Sequence, residues 1–221
     1  MKRVVFSIVF CACFYSAIIT CCGAAGFSSG RPSLSIESMM RTDVSADIIS
    51  VKYVDSTDTA VITLNNWGIV GNVPDFKYSG GNLLKLGTKV GLYFGAVKLS
   101  EGVITSLSPT LPEGGQPVLT FVVTGNSQLK GGQIQSRFKK PRTLTLSYGN
   151  NLFELSETRK MVDPVIECTG KAAGSPDLRI GTVLTITGGG QDFSGEYSVS
   201  ETIHLFDQSK GNITEFTATK N

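Results

Sequence analysis

The sequence predicts an all-β fold, a barrel or a sandwich, arranged as two modules. Three observations carry this prediction. Apolar and polar residues alternate with period two in run after run, as half-buried strands require. Glycine and proline, 25 and 8 in 221 residues, mark the breaks between these runs. No window sustains the 3.6-residue period of an amphipathic helix. Many short strands with glycine-rich turns close into a barrel or stack as a sandwich.

The elements follow in order. Ile49, Val51 and Tyr53 fall on one face of a first long strand, and Ala60, Ile62 and Leu64 on one face of the next. Val90, Leu92 and Phe94 make a third face, and Leu144, Leu146 and Tyr148 a fourth. The longest run puts Tyr197, Val199, Glu201, Ile203 and Leu205 on one side. Glu196, Ser198, Ser200, Thr202 and His204 then lie on the other, polar side. The last strand runs from about Ile213 to Thr219. Pro112 to Pro117 is a hairpin connection, and Gly188-Gly189-Gly190 is another turn. Leu152 to Met161 is the one window with a competing reading as a short helix. Gly125 to Lys140 is polar and basic, with Phe138 its single aromatic residue. This composition shift predicts a connector between modules of about residues 31–125 and 141–221.

Composition narrows the function. The chain is 41% hydrophobic, enough for a core, which excludes disorder as the dominant state. A net charge of +2 argues against electrostatically driven nucleic-acid binding. Charged residues make up 17%, below the ~25% usual in soluble domains, which suits a large buried interface or a surface rich in Ser, Thr and Asn. Residues 1–25 read as a leader: Lys2 and Arg3, an apolar run from Val4 to Thr20, then Cys22-Gly23-Ala24-Ala25. Cleavage after Ala25 is the first reading. Lipidation at Cys21 or Cys22, an uncleaved anchor, and a false start codon remain open beside it. Cleavage would remove Cys11, Cys13, Cys21 and Cys22 and leave Cys168 alone, so no intrachain disulfide could form.

Catalytic chemistry is sparse. His204, the single histidine, falls on the polar face of its strand and reads as a solvated or interface residue. Cys168 reads as a buried structural thiol, since the adjacent Glu167 would raise its pKa. One His and one mature Cys cannot build a zinc site. Asp43, Asp47, Asp55 and Asp58 lack calcium-loop spacing and read as solvated strand ends. Gly188 to Gly190 lacks the following Lys-Ser/Thr of a phosphate loop. Asn212-Ile213-Thr214 matches a glycosylation sequon. Arg137, Lys139, Lys140 and Arg142 read as a solvated connector. The residues point to no enzyme, no cofactor and no metal, but to a β protein that binds or assembles through its surfaces.

Several runs, in order, are similar to the phage late control protein D family. Arg31 to Ile36, Asp43 to Val51, and Asp55 to Ala60 leading into Leu64-Asn65-Asn66-Trp67 resemble its start. Leu86 to Val90 and Glu101 to Leu107 resemble its next strands. The most specific match is Asp177-Leu178-Arg179-Ile180-Gly181-Thr182-Val183, then Phe193 to Val199, Ile203 to Asp207 and Thr214 to Thr217. The family supplies hubs of contractile phage tails and is related to the N-terminal hub part of VgrG spikes. The resemblance implies two small tandem β-barrel modules, residues 26–125 and 143–221, joined by a short connector at 126–142 behind the leader at 1–25. It implies a homotrimer whose six barrels form a ring between tail tube and spike, with no catalytic residue. The matched structural positions are Asn65, Asn66, Trp67, Gly102, Thr105, Gly195, Tyr197, Phe206 and Phe216. Asn66 and Gly195 would shape turns, and the four aromatic residues would fill core or interface.

Two features depart from that family. The connector is too short for the mixed α/β insertion usually found between the barrels, so the chain would be a shortened member. The leader suggests export to the periplasm or beyond, whereas the family assembles in the cytoplasm. The chain ends at Asn221, which implies a separate spike protein beside a tail-tube protein as partners. The alternative expectation is a secreted or lipid-anchored β-barrel protein that binds a ligand or partner at the cell surface, touching the membrane only through its leader.

Overall fold

The computed structural model describes residues 30–125, 142–159 and 166–220. The leader and nearly all of the connector, including Arg137, Lys139 and Lys140, lie outside the described residues. The described residues hold fifteen strands and two short helices. In the first half these are β1 (Ser33–Ile36), β2 (Met39–Met40), α1 (Thr42–Ala46), β3 (Ile48–Val54) and β4 (Thr59–Asn65). β5 (Trp67–Val70), β6 (Val73–Phe76), β7 (Lys89–Phe94), β8 (Val97–Thr110) and β9 (Val118–Gly125) complete it. The second half has β10 (Thr143–Ser147), β11 (Leu152–Arg159), β12 (Ile166–Ala173), β13 (Val183–Thr187), α2 (Gly190–Phe193), β14 (Gly195–Asp207) and β15 (Gly211–Lys220). The all-β expectation holds. The window from Leu152, with its competing helical reading, forms strand β11 as far as Arg159.

Thirteen strands form one continuous sheet in the order β11-β12-β15-β14-β3-β4-β9-β8-β7-β1-β2, with β10 paired to β13 and β13 to β14. In the second half, β10 and β13 run parallel and the other ladders run antiparallel. A single bridge links Tyr148 and Leu152 across the turn between β10 and β11. In the first half, β1 lies between β7 and β2, and β3 between β4 and β14. Arg31, just ahead of β1, donates to the carbonyls of Ala46 and Ile48, while Leu34 N donates to Ser45 Oγ on α1. β5 and β6 stand apart as a two-stranded sheet.

Two apolar cores result. The first gathers Leu34, Ile48, Val51, Tyr53, Ile62, Leu64, Leu92, Phe94, Phe121 and their neighbours from residues 34–123, and adds Phe206 from β14. The second gathers Leu144, Leu146, Leu152, Cys168, Leu184, Ile186, Tyr197, Val199 and Phe216. β14 serves both cores because its phase changes midway. A β-bulge between Val199 and Glu201 inserts one residue into the ladder with β15. An extra residue swaps the faces of everything beyond it. Tyr197 and Val199 therefore point inward before the bulge, and Thr202, His204 and Phe206 point inward after it. The single-phase alternation expected for this strand is corrected accordingly: Ile203 and Leu205 take the outer face, and His204 is fully buried. A second bulge, between Ile48 and Ser50, likewise puts Ile48 rather than Ile49 in the first core.

Close backbone packing fixes the β8–β9 ladder. A Cβ on Gly102 would sit 2.0 Å from the carbonyl oxygen of Thr124. No rigid ladder can yield that distance, so Gly102→Ala should lower unfolding free energy by about 1–3 kcal/mol in denaturant titration. Gly81→Ala, where a Cβ would come no nearer than 3.8 Å to the Tyr78 carbonyl, should stay within about 0.5 kcal/mol of the parent. Equal stability of the two variants would contradict the packing account.

Candidate functional site

Two features of the described residues stand out: a buried polar cluster between the cores, and an exposed apolar hairpin. The cluster begins with the tight turn between β3 and β4. Asp58 there has a φ of 44°, a left-handed conformation that Asp tolerates better than most residues. The turn folds Asp55 and Asp58 inward beneath Tyr53, whose hydroxyl lies 3.2 and 3.1 Å from their Oδ1 atoms. Ser100 donates to Asp58 Oδ1 at 2.7 Å. Arg179 enters from the loop before β13. Its Nε donates to Asp55 Oδ2 at 3.0 Å and its Nη2 to Asp55 Oδ1 at 2.6 Å, a two-point fork. Nη2 also reaches the Leu99 carbonyl and the Tyr53 hydroxyl, both at 3.2 Å. Ile180 N and Thr202 Oγ1 donate to Asp55 Oδ2. The side chains of Asp55 and Arg179 are 0% and 5% exposed.

Electrostatics follow from that burial. Burial alone would lower the Arg179 pKa, but the hydrogen bond and charge of Asp55 reverse this and raise it. His204 stacks on Tyr53, with ring centroids 5.9 Å apart, and its Nδ1 lies 3.2 Å from Thr214 Oγ1. Burial, then the Arg179 charge, push its pKa down to about 3, against weaker opposition from Asp55 and the Leu178 carbonyl. The expectation of a solvated or interface histidine is corrected: the ring is a neutral core residue. The expectation of solvated aspartates fails equally for Asp55 and Asp58, which are 0% and 3% exposed. Asp43 is exposed and pairs with Arg41, which holds its carboxyl down at about 2 through their hydrogen bond. Asp47 takes Lys77 Nζ at 2.8 Å and the Tyr78 hydroxyl at 2.6 Å.

Cys168 is buried, and desolvation followed by the Glu157 charge raises its pKa to about 11. The acidic neighbour is thus Glu157, opposite it on β11, rather than the sequence-adjacent Glu167. That thiol is protonated at neutral pH and is no nucleophile there. No group of three His, Cys, Asp or Glu capable of holding a metal converges among the described residues. No described helix is long and apolar enough to cross a membrane. Arg142, the one described member of the basic run, is exposed and pairs with Asp177.

The matched positions fall at distinct places. Asn66 is fully buried at the foot of the β5–β6 hairpin. It accepts Tyr78 N on Oδ1, donates from Nδ2 to Ser79 Oγ, and exchanges backbone bonds with Pro117 and Lys77. Asn65 Oδ1 accepts Trp67 N, turning the chain into the hairpin. Trp67 is 37% exposed and meets Phe76 edge-on at 5.4 Å. Gly102 packs on Thr124, and Thr105 is exposed and shares a hydrogen bond with Thr124 Oγ1. Gly195 opens β14 with a φ of 146°. Tyr197 and Phe216 lie in the second core and Phe206 in the first. Sequence reasoning missed the cluster. Its signal was an arginine between the apolar residues Leu178 and Ile180, and two aspartates three apart in a turn.

No family model and no curated protein sequence matches the chain. The fold is nevertheless similar to those of solved tail and secretion-system proteins. A tail protein of Neisseria meningitidis superposes over 86% of this chain and 96% of its own, with a TM-score of 0.60 and 7% identity. The 43 kDa tail protein of prophage MuSo2 from Shewanella oneidensis does so over 86% and 96%, with a TM-score of 0.57 and 9% identity. An Escherichia coli component of the type VI secretion system covers 85% of this chain and 76% of its own, with a TM-score of 0.59 and 10% identity. That component is described as similar to the T4 bacteriophage tail proteins gp27 and gp5.

The depressed His204 pKa gives a signed pH dependence. The folded ring stays neutral, whereas the unfolded ring takes a proton below about 6.5. The stabilisation is therefore complete above that value and declines as pH falls toward 3. Between pH 6.5 and 4.5 the parent should lose about 2–3 kcal/mol more than His204→Gln in urea unfolding. Parallel losses would contradict the buried neutral ring.

Proposed function

We propose that this chain is a structural hub subunit of a phage-like contractile injection machine, a homotrimeric ring joining a tail tube to a separate spike protein. The observation that carries this reading is a fold shared over 85–86% of the chain with two phage tail proteins and a type VI secretion component. The chemistry is consistent with it. The polar cluster is spent on internal bonds, the thiol is buried and protonated, and the described surface offers binding rather than a reactive centre. In this reading residues 26–125 and 143–221 supply two β-barrel modules per subunit, and 126–142 connects them without the usual insertion. Three subunits then present six similar modules, which matches a sixfold tube to a threefold spike. Asn65, Asn66 and Gly195 shape the turns of these modules, Gly102 and Thr105 fit the β8–β9 ladder, and Tyr197, Phe206 and Phe216 fill their cores.

The leader-like sequence of residues 1–25 favours a second reading, a secreted or lipid-anchored β protein at the cell surface. Radiolabelled palmitate incorporation would support that reading. Light scattering on the full chain, alone and with the tube and spike proteins of its host system, tests the hub. The expected mass is three chains. A single chain under both conditions would overturn the hub reading.

A further inference from the structure

The β5–β6 hairpin is apolar on both faces. Its register pairs Trp67 with Phe76 and Ile69 with Pro74 on one face, and Gly68 with Asp75 and Val70 with Val73 on the other. Ile69 and Val73 are 67% and 59% exposed, and Val70 and Trp67 are 42% and 37% exposed. Pro74 is exposed as well. Asp75 is the one charged residue from 67 to 76, and two uncharged pairs separate it from the turn at Gly71-Asn72. The outer half of the hairpin, Ile69 to Pro74, therefore shows solvent apolar side chains in both directions and no charge.

The foot holds this surface out from the body. An isolated two-stranded hairpin is marginal in water. Here Asn66 is buried beneath it, accepting Tyr78 N and donating to Ser79 Oγ. Lys77 donates to both oxygens of Asp47, and its stem crosses Gly68, where a Cβ would strike Lys77 Cε at 2.3 Å. Trp67 and Phe76 meet edge-on just above. The same short stretch receives the N-terminal chain. Arg31 donates to the carbonyls of Ala46 and Ile48, the two neighbours of Asp47. The described chain thus begins beside the hairpin's foot, and the apolar run Val4 to Thr20 lies ahead of it in sequence.

Two apolar faces set back to back narrow what can cover them. A flat partner surface covers one face and leaves the other in water. A medium that surrounds the tip covers both, and the bilayer interface is such a medium. Four residues per strand reach roughly 13 Å from the foot at about 3.3 Å each. Interfacial elements bury their apolar parts about 5–10 Å deep. That depth takes in Ile69, Val70, Val73 and Pro74 and leaves Asp75 at the level of the headgroups. Trp67, level with Asp75 or one pair behind it, has the amphipathic ring that favours this layer. Shallow entry also keeps the outer edges of the two-stranded sheet within reach of headgroup water. A leader retained as an anchor, or lipidated at Cys21 or Cys22, would bring a bilayer to this same end of the molecule.

We propose that the β5–β6 hairpin is a membrane-contact element whose tip, from Ile69 to Pro74, enters the interfacial layer of a lipid bilayer. A trimeric hub and a single chain at the cell surface would present the same tip, so this contact goes beyond the hub reading and does not depend on it. Trp67 is the single tryptophan of the chain. Its fluorescence therefore reports on the hairpin alone, even where the leader holds the chain to a vesicle. The test mixes the full chain with phosphatidylcholine–phosphatidylglycerol vesicles, with and without bromine on the acyl chains. The expected result is a shift of Trp67 emission to shorter wavelength and quenching by the brominated lipid. Ile69→Asp/Val73→Asp should lose both, with an unfolding midpoint that matches the parent because both side chains are exposed. Emission unchanged by vesicles would overturn the contact. So would a shift without quenching, which would put the tip against protein, or a shift and quenching retained in the variant. A three-chain mass with a silent Trp67 would overturn the membrane contact alone. A single-chain mass in every mixture, with Trp67 quenched, would overturn the hub alone.

Discussion

The ion pair between Asp55 and Arg179 is the constraint on which the rest of the described structure depends. It joins residues 124 positions apart and lies where the two cores meet. A buried ion pair repays its desolvation only when the remaining donors and acceptors are also satisfied. Here Asp55 accepts from Ile180 N and Thr202 as well, and Arg179 donates onward to Leu99 and Tyr53. The pair thus ties the β3–β4 turn, strand β8, the loop before β13 and strand β14 into one unit. Hydrophobic burial supplies most of the stability of each core. The ion pair adds a requirement of geometry, because only one relative placement of the two halves satisfies every group.

That geometry explains the bulge in β14. A strand of uniform phase could face one core throughout, but it could not bring Tyr197 and Val199 to the second core and Phe206 to the first. The extra residue at the Val199–Glu201 irregularity turns Thr202 toward Asp55 and His204 onto Tyr53. A neutral imidazole between Tyr53 and Phe94 then packs as an aromatic ring beside the guanidinium. Two cores that share a strand and a buried charge pair transmit load as a block, where a flexible linker alone would let them pivot.

The alternation of Ala60, Ile62 and Leu64, and of Val90, Leu92 and Phe94, was enough to read the all-β fold, because regular ladders preserve phase. Bulges do not announce themselves in composition, so Ile49 and His204 were assigned to the wrong faces. Asp55 read as solvated because Arg179, which neutralises it, lies 124 residues away in sequence, and Asp58 because Ser100, which donates to it, lies 42 residues on. Turn chemistry was legible at one connection: Pro112 to Pro117 does join β8 to β9. The exposed hairpin went unread as an element, since sequence cannot say whether Trp67, Ile69 and Val73 meet the core or the solvent.

The central claim is that the buried pair couples the two cores into one cooperative unit. Differential scanning calorimetry of the full chain and of Arg179→Met tests it most directly. One transition is predicted for the parent, with calorimetric and van't Hoff enthalpies equal. Arg179→Met leaves the Asp55 carboxylate buried without its charge partner, at a cost of about 3–5 kcal/mol. It should separate the melting of the two cores into two transitions. Two transitions in the parent, or a single undisplaced transition in Arg179→Met, would contradict the account.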